Sequence, residues 1–161
     1  MEKDTARKTR ALGLIISLAA ILLFSAAYLL SNRSESGPGL EARLGSCRFQ
    51  LEIADSAREQ YRGLSGRKSL CPDCGLLFVF GDSQPRNFVM RNMHFPLDII
   101  YLEEGQVSEI LVGVEPETEP LTPHISREAV DMALEINAGE AERCEISASS
   151  SIYFSLENYD Y

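Results

Sequence analysis

The chain has 161 residues, 24 acidic against 15 basic side chains and a formal net charge of −9. The first thirty residues hold four basic and two acidic groups, so from residue 31 onward 11 basic side chains face 22 acidic ones, a net of −11. That balance argues against nucleic acid as a partner and against charge-driven docking on an anionic membrane surface.

Residues 1–10 form a basic segment with Lys3, Arg7, Lys8 and Arg10. Ala11 to Leu30 carries no charge and is broken only by Gly13, Ser17, Ser25 and Tyr28. At about 1.5 Å per residue a helix over this run spans roughly 30 Å, the thickness of a bilayer core. The basic flank predicts a single-pass transmembrane helix over 11–30, with the N-terminus in the cytoplasm and the rest outside, periplasmic or extracellular. A cleaved signal peptide, cut near Ser25 and Ala27, is the competing reading, but the run exceeds the length of a signal h-region.

Residues 31–43 read as a flexible linker, with Gly37-Pro38-Gly39 at its centre. A single domain is expected over 44–157, followed by a tail at 158–161. Cys47 to Ile53 alternates apolar and polar residues and predicts a half-buried strand with Cys47, Phe49, Leu51 and Ile53 inward. Ser56 and Glu59 make a capping box for a short helix that Gly63 ends in the left-handed conformation. Ser65 to Asp73 reads as loop.

Leu76 to Phe80 is a continuous apolar run rich in branched and aromatic residues, which reads as a buried strand. Gly81 to Pro85 is a turn cluster, and Asn87 to Met93 has strand length. Leu97 to Leu102 and Val107 to Val114 form a hairpin about Glu103-Glu104-Gly105-Gln106. Three prolines make Glu115 to Ile125 an extended loop. Val130 to Ile136 predicts a strand with Val130, Met132, Leu134 and Ile136 on one face, Asn137 the cap of a second short helix, and Ile146 to Phe154 a last strand. The fold expected is mostly β: a small antiparallel barrel or sandwich of jelly-roll type with two short helices, preceded by the transmembrane helix.

Four motifs, in order, carry a resemblance. Glu59-Gln60-Tyr61-Arg62-Gly63-Leu64-Ser65-Gly66-Arg67, Gly75-Leu76-Leu77-Phe78-Val79-Phe80, Phe88 to Met93 with Pro96-Leu97-Asp98-Ile99-Ile100, and Leu134-Glu135-Ile136-Asn137-Ala138-Gly139 are similar to the signatures of domain of unknown function 192. The resemblance implies a compact jelly-roll or flattened-barrel domain, often behind an export signal or anchor, and no activity. Val89 stands where that family favours Trp, and Met93 where it favours Thr.

The candidate ligand-binding residues are Arg62, Asn92 and Asp98, flanked by Met90 and Asn87. An Arg fork holds a carboxylate bidentately, and Asp98 sits at a strand start beside a loop. These three predict one polar cluster, with an internal Arg62–Asp98 ion pair as its structural alternative. Outside the cytoplasm four cysteines favour two disulfides, and four allow three pairings. Cys71 and Cys74 are close enough in sequence to bond each other, which leaves Cys47 and Cys144. No metal-ligand spacing, nucleophile elbow or phosphate loop is present, and no cofactor is expected. The reading is an anchored extracytoplasmic module that binds a small molecule, glycan or envelope protein. The alternatives are an envelope enzyme using Asp98 as acid or base with Arg62, and a thiol-disulfide protein using Cys71 and Cys74.

Overall fold

The structure is a computed structural model and describes residues 40–156. The expected membrane segment at 11–30 and the tail at 158–161 lie outside these residues. Among the described residues no helix is long and apolar enough to cross a membrane.

Among the described residues nine strands and two short helices follow in order: β1 (Leu40–Leu44), β2 (Cys47–Ala54), α1 (Ala57–Arg62), β3 (Cys74–Gln84), β4 (Asn87–Phe88), β5 (Leu97–Glu103), β6 (Gln106–Val114), β7 (His124–Ile125), β8 (Val130–Asn137), α2 (Glu140–Arg143) and β9 (Tyr153–Leu156). Seven strands make one sheet in the order β6-β5-β8-β3-β2-β1-β9, and β4 pairs with β7 in a small second sheet. The first strand begins at Leu40, so the last part of the expected linker is ladder, paired to both β2 and β9.

The expected antiparallel barrel or sandwich is corrected in two ways. First, β2 and β3 are parallel. Residues 55–73, with α1 in them, supply the crossover that a parallel pair needs and a tight turn cannot give. Second, the sheet stays open. Its two ends meet only at a corner, where Gln106 bridges Ser151 and the Ile152 N–H donates to Gly105 O at 2.9 Å.

Two cores follow from the pleat. Alternate residues of one strand point to opposite faces, and here both faces of the central strands are covered. Leu77, Ile100, Leu102, Leu134 and Ile136 join Phe49, Leu51 and α2 on one face. Leu76, Phe78, Ile99, Tyr101 and Ala133 join Leu64, Leu70, Met90 and Met93 on the other. This explains the unbroken apolar runs of β3 and β5. It also corrects β2, where Ile53 is exposed and Ala54 is buried in the second core. Val130 likewise belongs to the second core, beyond a register shift between β3 and β8.

Local chemistry accounts for the joints. Ser56 and Glu59 form the capping box of α1, and the Gly63 N–H closes its end onto Glu59 O with φ +50°. Glu104 and Gly105 both have positive φ at the β5–β6 hairpin, the conformation a two-residue primed turn requires. The cap of α2 differs from expectation. Gly139 occupies the N-cap position, and Asn137 ends β8 with its amide donating to Cys71 O at 3.1 Å. The last strand is shorter than expected because residues 146–152 turn across the first core.

Two disulfides tie the domain: Cys47 to Cys144, bridging β2 and the end of α2, and Cys71 to Cys74, closing the turn before β3. Among the described residues there is no free cysteine. The thiols of a Cys71–Cys74 redox pair are thus held as a disulfide.

Candidate functional site

The expected cluster of Arg62, Asn92 and Asp98 does not form. Asp98 is fully buried in β5. Its Oδ1 accepts from the Gly113 N–H at 2.8 Å and its Oδ2 from the Ala141 N–H at 2.9 Å. The register between β5 and β6 shifts here, and Gly113 has φ +61°, the mark of a bulge whose freed N–H needs an acceptor. The Ala141 N–H lies in the first turn of α2, which has no side-chain cap of its own. Asp98 therefore satisfies two orphaned donors from a distance in sequence, and it reaches neither solvent nor Arg62. Met90 is also fully buried, as core. Asn92 is exposed with φ +54°, and its carbonyl accepts from the Gly66 N–H at 2.8 Å.

Arg62 and Asn87 are the two expected residues that line one cleft, of about 420 Å³. One wall is the end of α1 and the turn after it, from Gln60 to Ser65. The opposite wall is the end of β3 and the segment around β4, including Arg86, Phe88, Val89 and Arg91. Phe78 and Glu135 form the floor, contributed by the paired strands β3 and β8.

The rim is cationic. Arg86 lies over the Phe80 ring at 4.0 Å and bonds Asp82 Oδ1 at 2.6 Å. Arg91 lies over the Tyr61 ring at 4.1 Å and donates to Tyr61 O at 2.7 Å. Guanidinium stacking on a ring fixes the plane of the fork without consuming all its donors. Phe78 and Phe88 pack edge-to-face at 4.8 Å, and Phe88 meets Tyr101 at 5.7 Å, so the floor is a rigid aromatic surface.

Two buried polar atoms of this cleft lack a protein partner: Arg86 Nε and Glu135 Oε2. Glu135 sits mid-strand and is 7 % exposed. Burial pushes its carboxyl up to about 8, and the Arg67 guanidinium offsets only part of that. Arg67 is itself taken by Glu52, at 2.6 and 2.7 Å in a two-pronged pair. Burying an ionised carboxylate without a partner is costly, so the group stays protonated at neutral pH. Gly63 leaves the approach open. A Cβ built there would stand 3.5 Å from the Phe78 ring and 3.9 Å from Glu135 Oε2.

Glu135, Arg86 and Arg91 were missed as site residues. Alternation along β8 puts Glu135 on the face opposite Leu134 and Ile136, and that face is covered by the second core. The signal was a lone acid between apolar neighbours in Ala133-Leu134-Glu135-Ile136, inside a strand with turn signals on both sides. His124 lies in β7, 3.9 Å from Glu117, and His94 is exposed. Among the described residues no group of three His, Cys, Asp or Glu side chains could hold a metal ion.

Comparison with known proteins agrees with the fold. A crystal structure of a "putative transcription regulator" from Sinorhizobium meliloti 1021 is 29 % identical, with a TM-score of 0.66, over 75 % of this chain and 98 % of that one. A protein of unknown function from Novosphingobium aromaticivorans DSM 12444 is 30 % identical, with a TM-score of 0.65, over 75 % of this chain and 89 % of that one. No curated protein matches the sequence. The profile of DUF192, described as uncharacterized ACR, matches residues 41–154, almost the whole described domain, and the chain belongs to that family.

Proposed function

We propose that the domain is a binding module for a small oxyanion with an apolar or ring-shaped body, held in the cleft between α1 and β4. The observation that carries this reading is the pair of unpartnered buried polar atoms, Arg86 Nε and Glu135 Oε2, in one cleft. Buried polar groups are almost always bonded, and a cleft that leaves a donor and a carboxyl unbonded is complementary to a molecule that supplies both. Arg62 adds a third guanidinium, exposed at the rim. Its fork is free to close on a carboxylate or phosphate, and the aromatic floor takes the body of the ligand. Arg62 and Asn87 survive from the expected site in this role.

The proposal keeps the extracytoplasmic placement. Two disulfides suit an oxidising compartment, and the uncharged Ala11–Leu30 run behind a basic flank suits an anchor in the cytoplasmic membrane. An envelope enzyme built on Asp98 loses its footing, because that carboxylate is fully buried and spent on two backbone donors.

Thermal denaturation of the full chain with benzoate and with phenyl phosphate tests the reading. A ligand that binds only the native state raises the melting temperature by mass action. The expected result is stabilisation by at least one of the two, reduced in Arg62→Ala and lost in Arg62→Ala/Arg86→Ala. Stabilisation that is the same in the double variant, or absent with both anions, rejects the site.

A further inference from the structure

The cleft has an anionic need at its rim and a different one at its floor. Glu135 projects from β8 between Phe78 and the backbone of Gly63, inside the ring of arginines and with no partner for Oε2. A carboxyl in that position has two states with opposite consequences. Protonated, it donates one hydrogen bond into the cleft. Ionised, it places a negative charge beneath an anionic ligand and repels it.

Resting on the oxyanion reading above, we propose that Glu135 is a specificity-determining donor: protonated, it bonds an uncharged oxygen on the far end of the ligand. The site would then select oxyanions that also carry a carbonyl-type acceptor, such as keto acids with an apolar spacer, over anions of the same shape without one. The spacer lies against Phe78 and Phe88. The anionic end stays with Arg62 and Arg86, so the two ends of the ligand are told apart by chemistry as well as by distance.

Three further observations support the assignment. First, Gly63 has φ +50°, and its missing side chain leaves the space above Oε2 open. Second, the guanidinium whose charge acts on Glu135, Arg67, is committed elsewhere, paired to Glu52 at 2.6 and 2.7 Å. Third, Tyr101, which packs in the same core, gives its hydroxyl proton to His124 O at 2.8 Å and not to Glu135. The charged and titratable groups around Glu135 are thus Arg62 and Arg67 from the α1 side, Glu52 on β2, Arg86 and Arg91 around β4, Tyr101 on β5 with Glu109 beyond it on β6, and His124 on β7 behind Phe88. Burial holds the carboxyl protonated up to about 8, which gives the selection a pH limit inside a measurable range.

The test uses two probes of equal charge and similar size, 4-acetylbenzoate and 4-isopropylbenzoate, titrated into the full chain by calorimetry. Both stay ionised from about pH 6 to about pH 9, so any change over that range belongs to the protein. At about pH 6 the acetyl probe should bind about tenfold tighter, the worth of one buried hydrogen bond. That preference should vanish in Glu135→Leu, which keeps binding both probes, and persist in Glu135→Gln, whose amide still donates. Raising the pH to about 9 should weaken the acetyl probe in the wild type and leave it unchanged in Glu135→Gln, which also separates Glu135 from His124. Binding of both probes with no preference, or a preference that survives in Glu135→Leu, overturns the donor role and leaves the oxyanion reading standing. Failure of both probes to bind overturns the donor role, and the oxyanion reading falls with it only where phenyl phosphate also fails to stabilise the chain.

Discussion

The carboxylate of Asp98 caps α2 from the neighbouring strand: its Oδ2 accepts the Ala141 N–H at 2.9 Å while its Oδ1 holds the Gly113 N–H of the β6 bulge at 2.8 Å. One buried side chain thereby joins three elements, β5, β6 and α2. A charged acceptor bonded twice contributes more than a neutral one, and its removal leaves two buried donors with nothing to bond.

Asp98→Ala is accordingly expected to destabilise the domain by roughly 3–5 kcal/mol and to lower the melting temperature by about 10 °C or more. Circular dichroism melts measure it. Below the transition, affinity of the cleft for benzoate should be unchanged, because Asp98 does not line it. A variant of wild-type stability would show that the two bonds are dispensable.

The Cys47–Cys144 bridge spans 97 residues in sequence and holds Cys144 fully buried. In the chain-entropy account, a loop near 100 residues stabilises by about 4–5 kcal/mol. The Cys47→Ala/Cys144→Ala variant should lose most of this in urea unfolding, while Cys71→Ala/Cys74→Ala, which opens a very short loop, should lose far less. Equal losses from the two variants would refute the loop-length account.

Glu135 also links stability to pH. Its folded value is raised, from an ordinary 4.5 to about 8. Between these values the native state holds a proton that the unfolded state has released. Stability is therefore fully present below about 4.5 and falls as the pH rises through about 8. At about 1.4 kcal/mol per pH unit the loss is at most roughly 4–5 kcal/mol. Glu135→Gln should abolish this slope and be the more stable protein at about pH 9. Parallel pH profiles for wild type and Glu135→Gln in chemical denaturation would contradict it.

Much of the fold was legible where one local rule decided the outcome. The α1 capping box, the Glu104-Gly105 turn and the buried run of β3 all follow from neighbours in sequence. The parallel β2–β3 pair and the open sheet were not legible, because pairing depends on where residues 55–73 cross, which alternation does not encode. The site divided the same way. Arg62 lies along the cleft, and its place at a helix end beside Gly63 was readable. Asp98 was misread because its two partners, Gly113 and Ala141, are far along the chain. Glu135 was hidden because alternation assigns β8 two faces without saying that packing covers both.

The most direct test of the cleft is nuclear magnetic resonance on the ¹⁵N-labelled full chain, titrated with 4-acetylbenzoate, reading the Arg86 Nε–H and the Gly63 amide. Binding in the cleft moves both signals together and saturates at one ligand per chain, and in Arg62→Ala/Arg86→Ala, which has no Arg86 Nε–H, the Gly63 amide should stay still. Saturable shifts confined to another part of the domain, with Arg86 and Gly63 unmoved, would contradict it.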